Sequence, residues 1–311
     1  MALVVMAGGC GSGTANQPAV QRPLVQLVPM VEDAAYPVGL VAEPEGGFLY
    51  GERLTGRIRR VTASGHLDAE PVAALDTVGS ADDQRGLLGL AVLSDGRLFA
   101  SWTRPADGRL VVGQVGSGAS ATVIWEGPIT VDQANGGGLA VAADGTILIG
   151  IGDLLASHAL GDDSALPNRK LLSLDPSGAA DQRPSVLSTG WNNPYAITVA
   201  RDGIAWVADN SAGSRPERMG RADRPATDAV DIDSGGPAIA PSGLVELAEG
   251  QFGVCGFVSH RVDEVRIVAG RPNRTGRVIA DSCWTAVTVL VDGRIVTATL
   301  DGINISTRSV R

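Results

Sequence analysis

The 311-residue sequence predicts an all-β protein, a six-bladed β-propeller, on three observations. Glycine is unusually frequent, with 41 residues, as is typical of short strands joined by tight turns. A short phrase recurs, in which an acidic residue and a glycine precede alternating apolar residues. No stretch of about 12 residues keeps the apolar period of an amphipathic helix. Hydrophobic residues make up 44% of the chain, enough for a large core, so global disorder is excluded.

The recurring phrase gives the number of blades. One glycine of each phrase serves as a marker: Gly47, Gly96, Gly145, Gly203, Gly250 and Gly293. Successive markers are 49, 49, 58, 47 and 43 residues apart. A period of roughly 40–50 residues with a turn followed by a strand indicates propeller blades. A β-sandwich is the alternative, but sandwiches do not repeat at a fixed period. We therefore predict one six-bladed propeller domain over residues 31–311.

The N-terminal residues 1–10 read MALVVMAGGC and are similar to the end of a bacterial lipoprotein signal. On that resemblance Cys10 is the lipidated residue, residues 11–30 are a flexible tether, and the propeller lies outside the cytoplasm, anchored to the outer face of the cell membrane. An unlipidated tail with a stray cysteine is the alternative. The sequence has no apolar run of about 18 residues, so we expect contact with the membrane only through the lipid.

Two further cysteines, Cys255 and Cys283, lie in strand-like surroundings. In an oxidising compartment they could form a disulfide, and two buried free thiols are the alternative. A metal site is disfavoured because no CxxC motif or paired histidine accompanies them.

The net charge of −9 disfavours nucleic acid as a partner, because an acidic chain repels phosphate backbones. The longest repeat includes extra length over the polar segment 154–168, which carries His158, and a second long polar stretch covers 211–241. Extra length in a propeller indicates a loop on one face, where function commonly lies.

Four phrases together resemble the glucose/sorbosone dehydrogenase family, the soluble quinoprotein sugar dehydrogenases. They are QRGLLGLA from Gln84, NGGGLAVAADGTILIGIGD from Asn135, KLLSLDP from Lys170 and GWNNP from Gly190. Their order and spacing match the family from about Pro37 to Asp209. The resemblance implies a six-bladed propeller that holds pyrroloquinoline quinone (PQQ) and calcium in a pocket at one end and oxidises aldoses.

Two positions depart from the family's pattern. The family has a histidine base just before the Asn-Gly-Gly phrase, where this chain has Ala134. It has an arginine facing the quinone where this chain has Asn192, whereas Asn193 keeps the family's asparagine. Alanine cannot accept a proton, and asparagine lacks the charge and the paired donors of arginine. These substitutions predict that PQQ binding is lost.

The resemblance assigns pocket roles to other residues. Gln84 matches a position near the sugar, Asp153 the partner of the missing histidine, and Asp209 and Glu217 fall loosely on the calcium-linked loop. Asn135, Trp191, Asn192 and Asn193 complete the predicted pocket. Each residue also has a purely structural alternative: Asp153 could cap the loop that follows it, and Gln84 and Asn135 could bond backbone groups at strand ends.

Three functions follow as hypotheses. In the first, the propeller has lost redox activity and binds a saccharide, a cell-envelope component or a protein partner. In the second, it is an active PQQ-dependent sugar dehydrogenase with Asp153 and His158 as candidate catalytic residues. In the third, it is a metal-dependent lactonase in which Asp153, Asn193, Asp209 and Glu217 supply metal-binding oxygens.

Overall fold

The computed structural model describes residues 22–116, 118, 120–155, 166–211, 215–233 and 238–310, and these form an all-β propeller of six four-stranded antiparallel sheets. The predicted fold class is therefore confirmed. Among the described residues no α-helix occurs, and a single 3-10 turn spans Ala226–Asp228. None of these residues forms a helix with the length and apolarity needed to cross a bilayer.

Five blades are built from consecutive strands, each running from the innermost strand outwards. Blade 1 contains β2 (Pro37–Glu43), β3 (Gly47–Glu52), β4 (Arg57–Val61) and β5 (Ala73–Ala74). Blade 2 contains β6 (Leu87–Val92), β7 (Leu98–Thr103), β8 (Arg109–Val115) and β9 (Ala121–Ile129). Blade 3 contains β10 (Gly136–Val141), β11 (Ile147–Ile151), β12 (Lys170–Leu174) and β13 (Ser185–Thr189). Blade 4 contains β14 (Ala196–Val199), β15 (Ala205–Asp209), β16 (Arg218–Arg221) and β17 (Val230–Asp231). Blade 5 contains β18 (Pro241–Ala248), β19 (Gln251–Gly256), β20 (Arg261–Val268) and β21 (Arg271–Asp281).

The sixth blade joins the two ends of the described chain. It contains β22 (Ala286–Val289), β23 (Arg294–Ala298) and β24 (Ile303–Ser309), and its outer strand is β1 (Leu27–Val31). β1 pairs antiparallel with β24, with Leu27 opposite Ser306. Just before β1, the amides of Leu24 and Val25 donate to the carbonyls of Val278 and Ile279 on blade 5, each at 3.0 Å. The N-terminal segment thereby contacts two blades and closes the ring.

The recurring acidic-Gly phrase forms the turn between the first and second strand of every blade. In four of these turns an aspartate Oδ1 accepts the backbone N–H two residues later, as at Asp95 and Arg97 (3.0 Å) and at Asp144 and Thr146 (3.0 Å). The glycine between the two residues has positive φ, +86° at Gly96. The aspartate thus replaces a backbone acceptor while the glycine supplies a conformation that other residues rarely adopt. In blade 1 the positive φ falls on Gly46, one residue before the marker glycine.

The hydrophobic core consists of six clusters, one at each interface between neighbouring blades of the described chain. Phe99 and Ile149, for example, are fully buried between blades 2 and 3. Because every sheet covers apolar side chains on both of its faces, the middle strands are continuously apolar instead of alternating, as in ILIGI of β11. Backbone contact is also close at the centre: a Cβ on Gly138 would lie 1.8 Å from the Tyr195 carbonyl oxygen.

A disulfide joins Cys255 at the end of β19 to Cys283 just before β22, with Cα atoms 5.5 Å apart. Both side chains are fully buried in the cluster between blades 5 and 6. The bond connects the hairpin turn 256–260 of blade 5 to the segment that enters blade 6.

Candidate functional site

One end of the propeller carries two sets of loops. Strands in a blade are antiparallel, so the segment entering the first strand and the turn leaving the second strand lie at the same end, opposite the acidic-Gly turns. These two sets enclose a cavity of about 220 Å³. A second cavity of about 310 Å³ runs along the innermost strands as a central channel. Leu88, Tyr195 and Ser242 line both, so they form the boundary between them.

The cavity at the loop end is lined by polar and apolar side chains together. Amides come from Gln84, Gln133, Asn193 and Asn210, carboxylates from Asp82 and Asp83, hydroxyls from Tyr36, Tyr195, Ser242 and Thr285, a guanidinium from Arg53, and an aromatic ring from Phe257. Such a lining offers donors and acceptors in several directions together with one apolar surface. It is the chemistry expected for a small polyhydroxylated ligand.

Gln84 lines the cavity, and the residue also connects two loops. Its side-chain Oε1 accepts the backbone N–H of Ala134 at 2.7 Å, and its backbone N–H donates to the carbonyl of Asp132 at 2.7 Å. Asn135 is fully buried and does not line the cavity. Its Oδ1 accepts from the N–H of Val131 (2.8 Å), and its Nδ2 donates to the carbonyls of Val131 (2.7 Å) and Gln84 (3.1 Å). The structural alternative for Asn135 is therefore the one its contacts support.

Asp209 fixes the backbone of the Asn192–Asn193 pair. Its Oδ1 accepts the N–H groups of Asn192 (2.9 Å) and Asn193 (2.8 Å), and its Oδ2 accepts from the Arg218 guanidinium. Burial raises the pKa of the Asp209 carboxyl, although Arg218 and these N–H groups favour the charged form. Asn193 lines the cavity, and its Oδ1 accepts the N–H of Gly136 at 2.9 Å.

Asn192, at the family's arginine position, turns away from the cavity. Its Nδ2 donates to the carbonyl of Asn210 at 2.8 Å, whereas its Oδ1 is buried and has no hydrogen-bond partner in the described part of the chain. Ala134, at the family's histidine position, is buried with φ of +57°. Neither side chain presents a base or a cation to the cavity.

The predicted metal oxygens already accept hydrogen bonds. Asp153 caps the loop that follows it, because its Oδ1 accepts the N–H of Leu155 at 3.0 Å. Glu217 accepts from the N–H groups of Ser211 (2.8 Å) and Ala240 (3.3 Å). With Asp209 occupied as described, no metal-binding group of three or more His, Cys, Asp or Glu occurs in the ranges that the structure describes. The Asp209 and Glu217 carboxylates thus accept hydrogen bonds from backbone N–H groups and from the Arg218 guanidinium.

Burial raises the pKa of Glu217 to about 7, and the nearby charges of Asp233 and Asp209 act in the same direction. The two N–H donors lower it, but by less. Glu217 therefore changes its charge near neutral pH directly before β16, in the connection between the second and third strands of blade 4.

Trp191 requires a correction. We expected it at the pocket, but its side chain is fully buried between blades 3 and 4, packed with Leu171 and Val207, and its Nε1 donates to Ser188 Oγ at 2.8 Å. The expectation rested on the position of Trp191 next to Asn192 and Asn193 in the sequence, which does not fix the direction of its side chain. His158 and Cys10 lie outside the described residues.

Of the predicted pocket residues, Gln84 and Asn193 line the cavity, whereas Asn135, Asp153, Trp191 and Asn192 are not among its lining residues. Sequence reasoning missed Arg53, Asn210 and Phe257. Each is the first residue after the second strand of its blade, following Glu52, Asp209 and Gly256. The repeat therefore carried a signal for them, since equivalent positions in successive blades meet at one end of the ring.

The family model described as Glucose / Sorbosone dehydrogenase matches residues 34–215. A search of curated proteins gives no significant match.

Solved structures share the fold. A Thermus thermophilus protein described as a putative oxidoreductase (glucose dehydrogenase) aligns with 21% identity and a TM-score of 0.73, over 91% of this chain and 99% of its own. The PQQ-bound aldose sugar dehydrogenase of Streptomyces coelicolor aligns with 19% identity and a TM-score of 0.71, over 92% and 98%. The soluble aldose sugar dehydrogenase of Escherichia coli, in its apo-form, aligns with 16% identity and a TM-score of 0.70, over 91% and 99%. At these identities the likeness concerns the fold.

Proposed function

Because the chain belongs to the Glucose / Sorbosone dehydrogenase family, we propose that it binds a saccharide in the cavity at its loop end without the oxidation for which the family is named. The observation that carries this proposal is Ala134. Oxidising a sugar hydroxyl requires a base for the hydroxyl proton. The methyl group of Ala134, at the family's base position, cannot accept a proton.

The family's PQQ does not fit the residues at its two signature positions. A quinone cofactor with several carboxylates needs fixed cationic donors. Asn192 is neutral, and its only side-chain hydrogen bond in the described residues goes to Asn210. Its orphaned Oδ1 is enclosed and is an acceptor, the wrong polarity for an anion. We therefore propose that the PQQ site has been lost, together with the calcium site, whose oxygens are engaged by N–H groups.

The cavity itself suits a small sugar. Its volume of about 220 Å³ is below the ~300–1,000 Å³ typical of sites for larger ligands. Side-chain amides and hydroxyls can bond sugar hydroxyls, and the Phe257 ring, 40% exposed, supplies an apolar face for the ring carbons.

The proposal is tested by titrating the purified protein with PQQ plus Ca²⁺ and, separately, with D-glucose and D-glucuronate, and by following the melting temperature. A ligand at ~100 times its Kd stabilises by ~2.7 kcal/mol, which is readily measured. We expect at least one sugar to raise the melting temperature and PQQ plus Ca²⁺ to leave it unchanged. A dye-reduction assay with the same sugars should show no turnover that depends on PQQ.

Saturable stabilisation by PQQ together with sugar-dependent dye reduction would overturn the proposal in favour of an active dehydrogenase with another base. Metal-dependent hydrolysis of a sugar lactone would overturn it in favour of the lactonase. A His158→Ala variant separates the two, since only the dehydrogenase hypothesis assigns His158 the role of base.

We also propose that the protein lies outside the cytoplasm and is anchored through Cys10. The Cys255–Cys283 disulfide supports an oxidising compartment, because such bonds are rare in reducing cytosol. Detergent phase partitioning of the full chain expressed in a bacterium tests the anchor. The wild type should enter the detergent phase and Cys10→Ala the aqueous phase; equal partitioning of the two would disprove lipidation at Cys10.

A further inference from the structure

Arg53 is a buried cation at the wall of the cavity. It follows β3, and its side chain is only 4% exposed. Its Nη2 donates to the carbonyls of Ser80 (3.0 Å) and Ala81 (3.3 Å), and its guanidinium carbon lies 3.5 Å from the centre of the Tyr36 ring. Loops from the first two blades and the segment that enters blade 1 thus hold the guanidinium in one place.

The charge of Arg53 is not balanced by the protein. Within the described ranges no carboxylate oxygen lies within 4.0 Å of its nitrogens, and its buried Nε has no hydrogen-bond partner. The neighbouring Arg85 differs, because its Nη2 lies 2.8 Å from Asp83 and 3.3 Å from Asp132. A buried cation without a counter-charge is costly, so an anion that reaches it from the cavity gains a charge-assisted hydrogen bond.

The other residues that line the cavity indicate which further chemical groups the anionic ligand has. Gln84 uses only its Oε1 in side-chain hydrogen bonds within the described residues, which leaves its amide nitrogen for a ligand. Gln133 and Asn210 line the same space. On the blade 5 side, the Phe257 ring packs edge-on against Trp284, with ring centres 6.2 Å apart.

Asp82 and Asp83 also line the cavity, but Asp82 is exposed to solvent and Asp83 is paired with Arg85. Arg53 is therefore the cation of this lining that has no carboxylate partner among the described residues. Together with the amides and the aromatic face, it matches a molecule with one carboxylate, several hydroxyls and an apolar ring surface.

We propose that the cavity binds an acidic monosaccharide, a sugar acid whose carboxylate lies against Arg53 while its hydroxyls meet the amides. The inference rests on the proposed saccharide function and narrows it to a ligand class. PQQ also carries carboxylates, so the experiment must separate the two sources of negative charge.

The test compares D-glucuronate, D-glucose and the uncharged methyl ester of D-glucuronate by titration calorimetry on the full chain, with PQQ in a parallel titration. A charge-assisted hydrogen bond contributes enough for glucuronate to bind about tenfold or more tightly than glucose. The ester should bind like glucose, because it keeps the ring and loses the charge. The preference should shrink at high salt.

Two variants complete the test. Arg53→Gln should abolish the preference for glucuronate, so that glucuronate and glucose bind the variant with similar affinity. Arg97→Gln removes the same charge from an acidic-Gly turn at the opposite end of the propeller, from a cation that is paired with Asp95, and should keep the preference. If Arg53→Gln does not fold, the comparison of glucuronate with its ester in the wild type still decides, because there the charge is removed from the ligand.

Equal affinity for the three sugars would overturn the inference and leave a neutral saccharide pocket standing. Binding of none of them would overturn both the inference and the proposed function. Binding of PQQ without any sugar acid would assign Arg53 to the cofactor instead.

Discussion

Several buried polar side chains near the cavity make hydrogen bonds to loop backbone groups that would pair with another strand inside a sheet. Asn135 bonds both the N–H and the carbonyl of Val131, and Asp209 gathers two consecutive N–H groups. The backbone N–H and carbonyl groups of a loop have no neighbouring strand to pair with. A short polar side chain nearby can form the missing hydrogen bonds. The loops that shape the cavity depend on these residues even though Asn135 and Asp209 do not line it.

Asn135→Ala tests this dependence. Removing the side chain leaves the Val131 N–H and carbonyl buried without partners, and we expect the free energy of unfolding to fall by about 1–3 kcal/mol. Gln133→Ala is the matched control, because Gln133 lies in the same loop but is exposed, and it should change stability by less than about 0.5 kcal/mol. Urea unfolding of the three proteins measures both effects. Equal stability of the two variants would refute the structural role of Asn135.

Glu217 makes stability depend on pH. Its pKa is about 7 in the folded protein and 4.5 in the unfolded chain, so the folded state keeps the proton over a range where the unfolded state has lost it. Its contribution to stability is fully present below pH 4.5 and is lost as the pH rises through 7. Glu217→Gln cannot titrate. Relative to the wild type, the variant should gain roughly 2–3 kcal/mol between pH 4.5 and pH 8.

The same urea experiment at the two pH values measures this change, and titrations shared by both proteins cancel in the difference. A difference in stability that stays constant between the two pH values would show that the Glu217 carboxyl titrates normally in the folded state.

At the scale of single residues, the sequence predicts which residues lie near the cavity better than it predicts where their side chains point. The pocket phrases include Gln84 and Asn193, which line the cavity and lie three residues before the innermost strands β6 and β14. They misplace Trp191, since neighbouring residues on a turn point to opposite sides and only packing decides which side is the core. The pairing of Asp209 with Arg218 was also out of reach, because it depends on register between β15 and β16.

At the scale of elements, the sequence predicts the repeated acidic-Gly turns because the interactions that form each turn are local. An aspartate that accepts a hydrogen bond two residues ahead and a glycine with positive φ define a hairpin whatever surrounds it. The described turns at the opposite end do not share a common phrase, and those of blades 1, 4 and 5 contribute different side chains to the cavity, Arg53, Asn210 and Phe257. Their lengths and contents differ accordingly, and the sequence predicts only that they exist.

The disulfide connects two such elements at the rim. Phe257 lies two residues after Cys255, and Trp284 directly follows Cys283. With the bonded cysteines 28 positions apart in the sequence, the loop-closure model predicts that Cys255→Ala with Cys283→Ala lowers the free energy of unfolding by about 3–4 kcal/mol. Urea unfolding measures this loss, with reduced wild type as the parallel sample. If the double variant and the reduced wild type are both as stable as the oxidised protein, the bond constrains nothing.

At the scale of the whole molecule, stability comes from a closed ring. Each blade buries its two faces against neighbours, so six interfaces share the core and none is dispensable. The cavity lies where the blades converge and takes residues from the loops of blade 1 and of blade 5 alike. Ligand binding and ring closure therefore depend on the same contact between the N-terminal segment and the last blades.

A chain that starts at residue 32 should lose both stability and ligand binding. It lacks β1, which covers β24, and it lacks Val25 and Val31, which are 1% and 5% exposed. The two valine side chains alone account for roughly 3–6 kcal/mol, against a typical total of ~5–15 kcal/mol. A chain that starts at residue 22 keeps all of these contacts and should melt like the full chain. Val28→Ala, in the same strand but 42% exposed, should stay within about 0.5 kcal/mol of the wild type. Calorimetric melting of the four proteins tests the role of closure, because a shortened chain as stable as the full one would mean that the blades hold the ring without it.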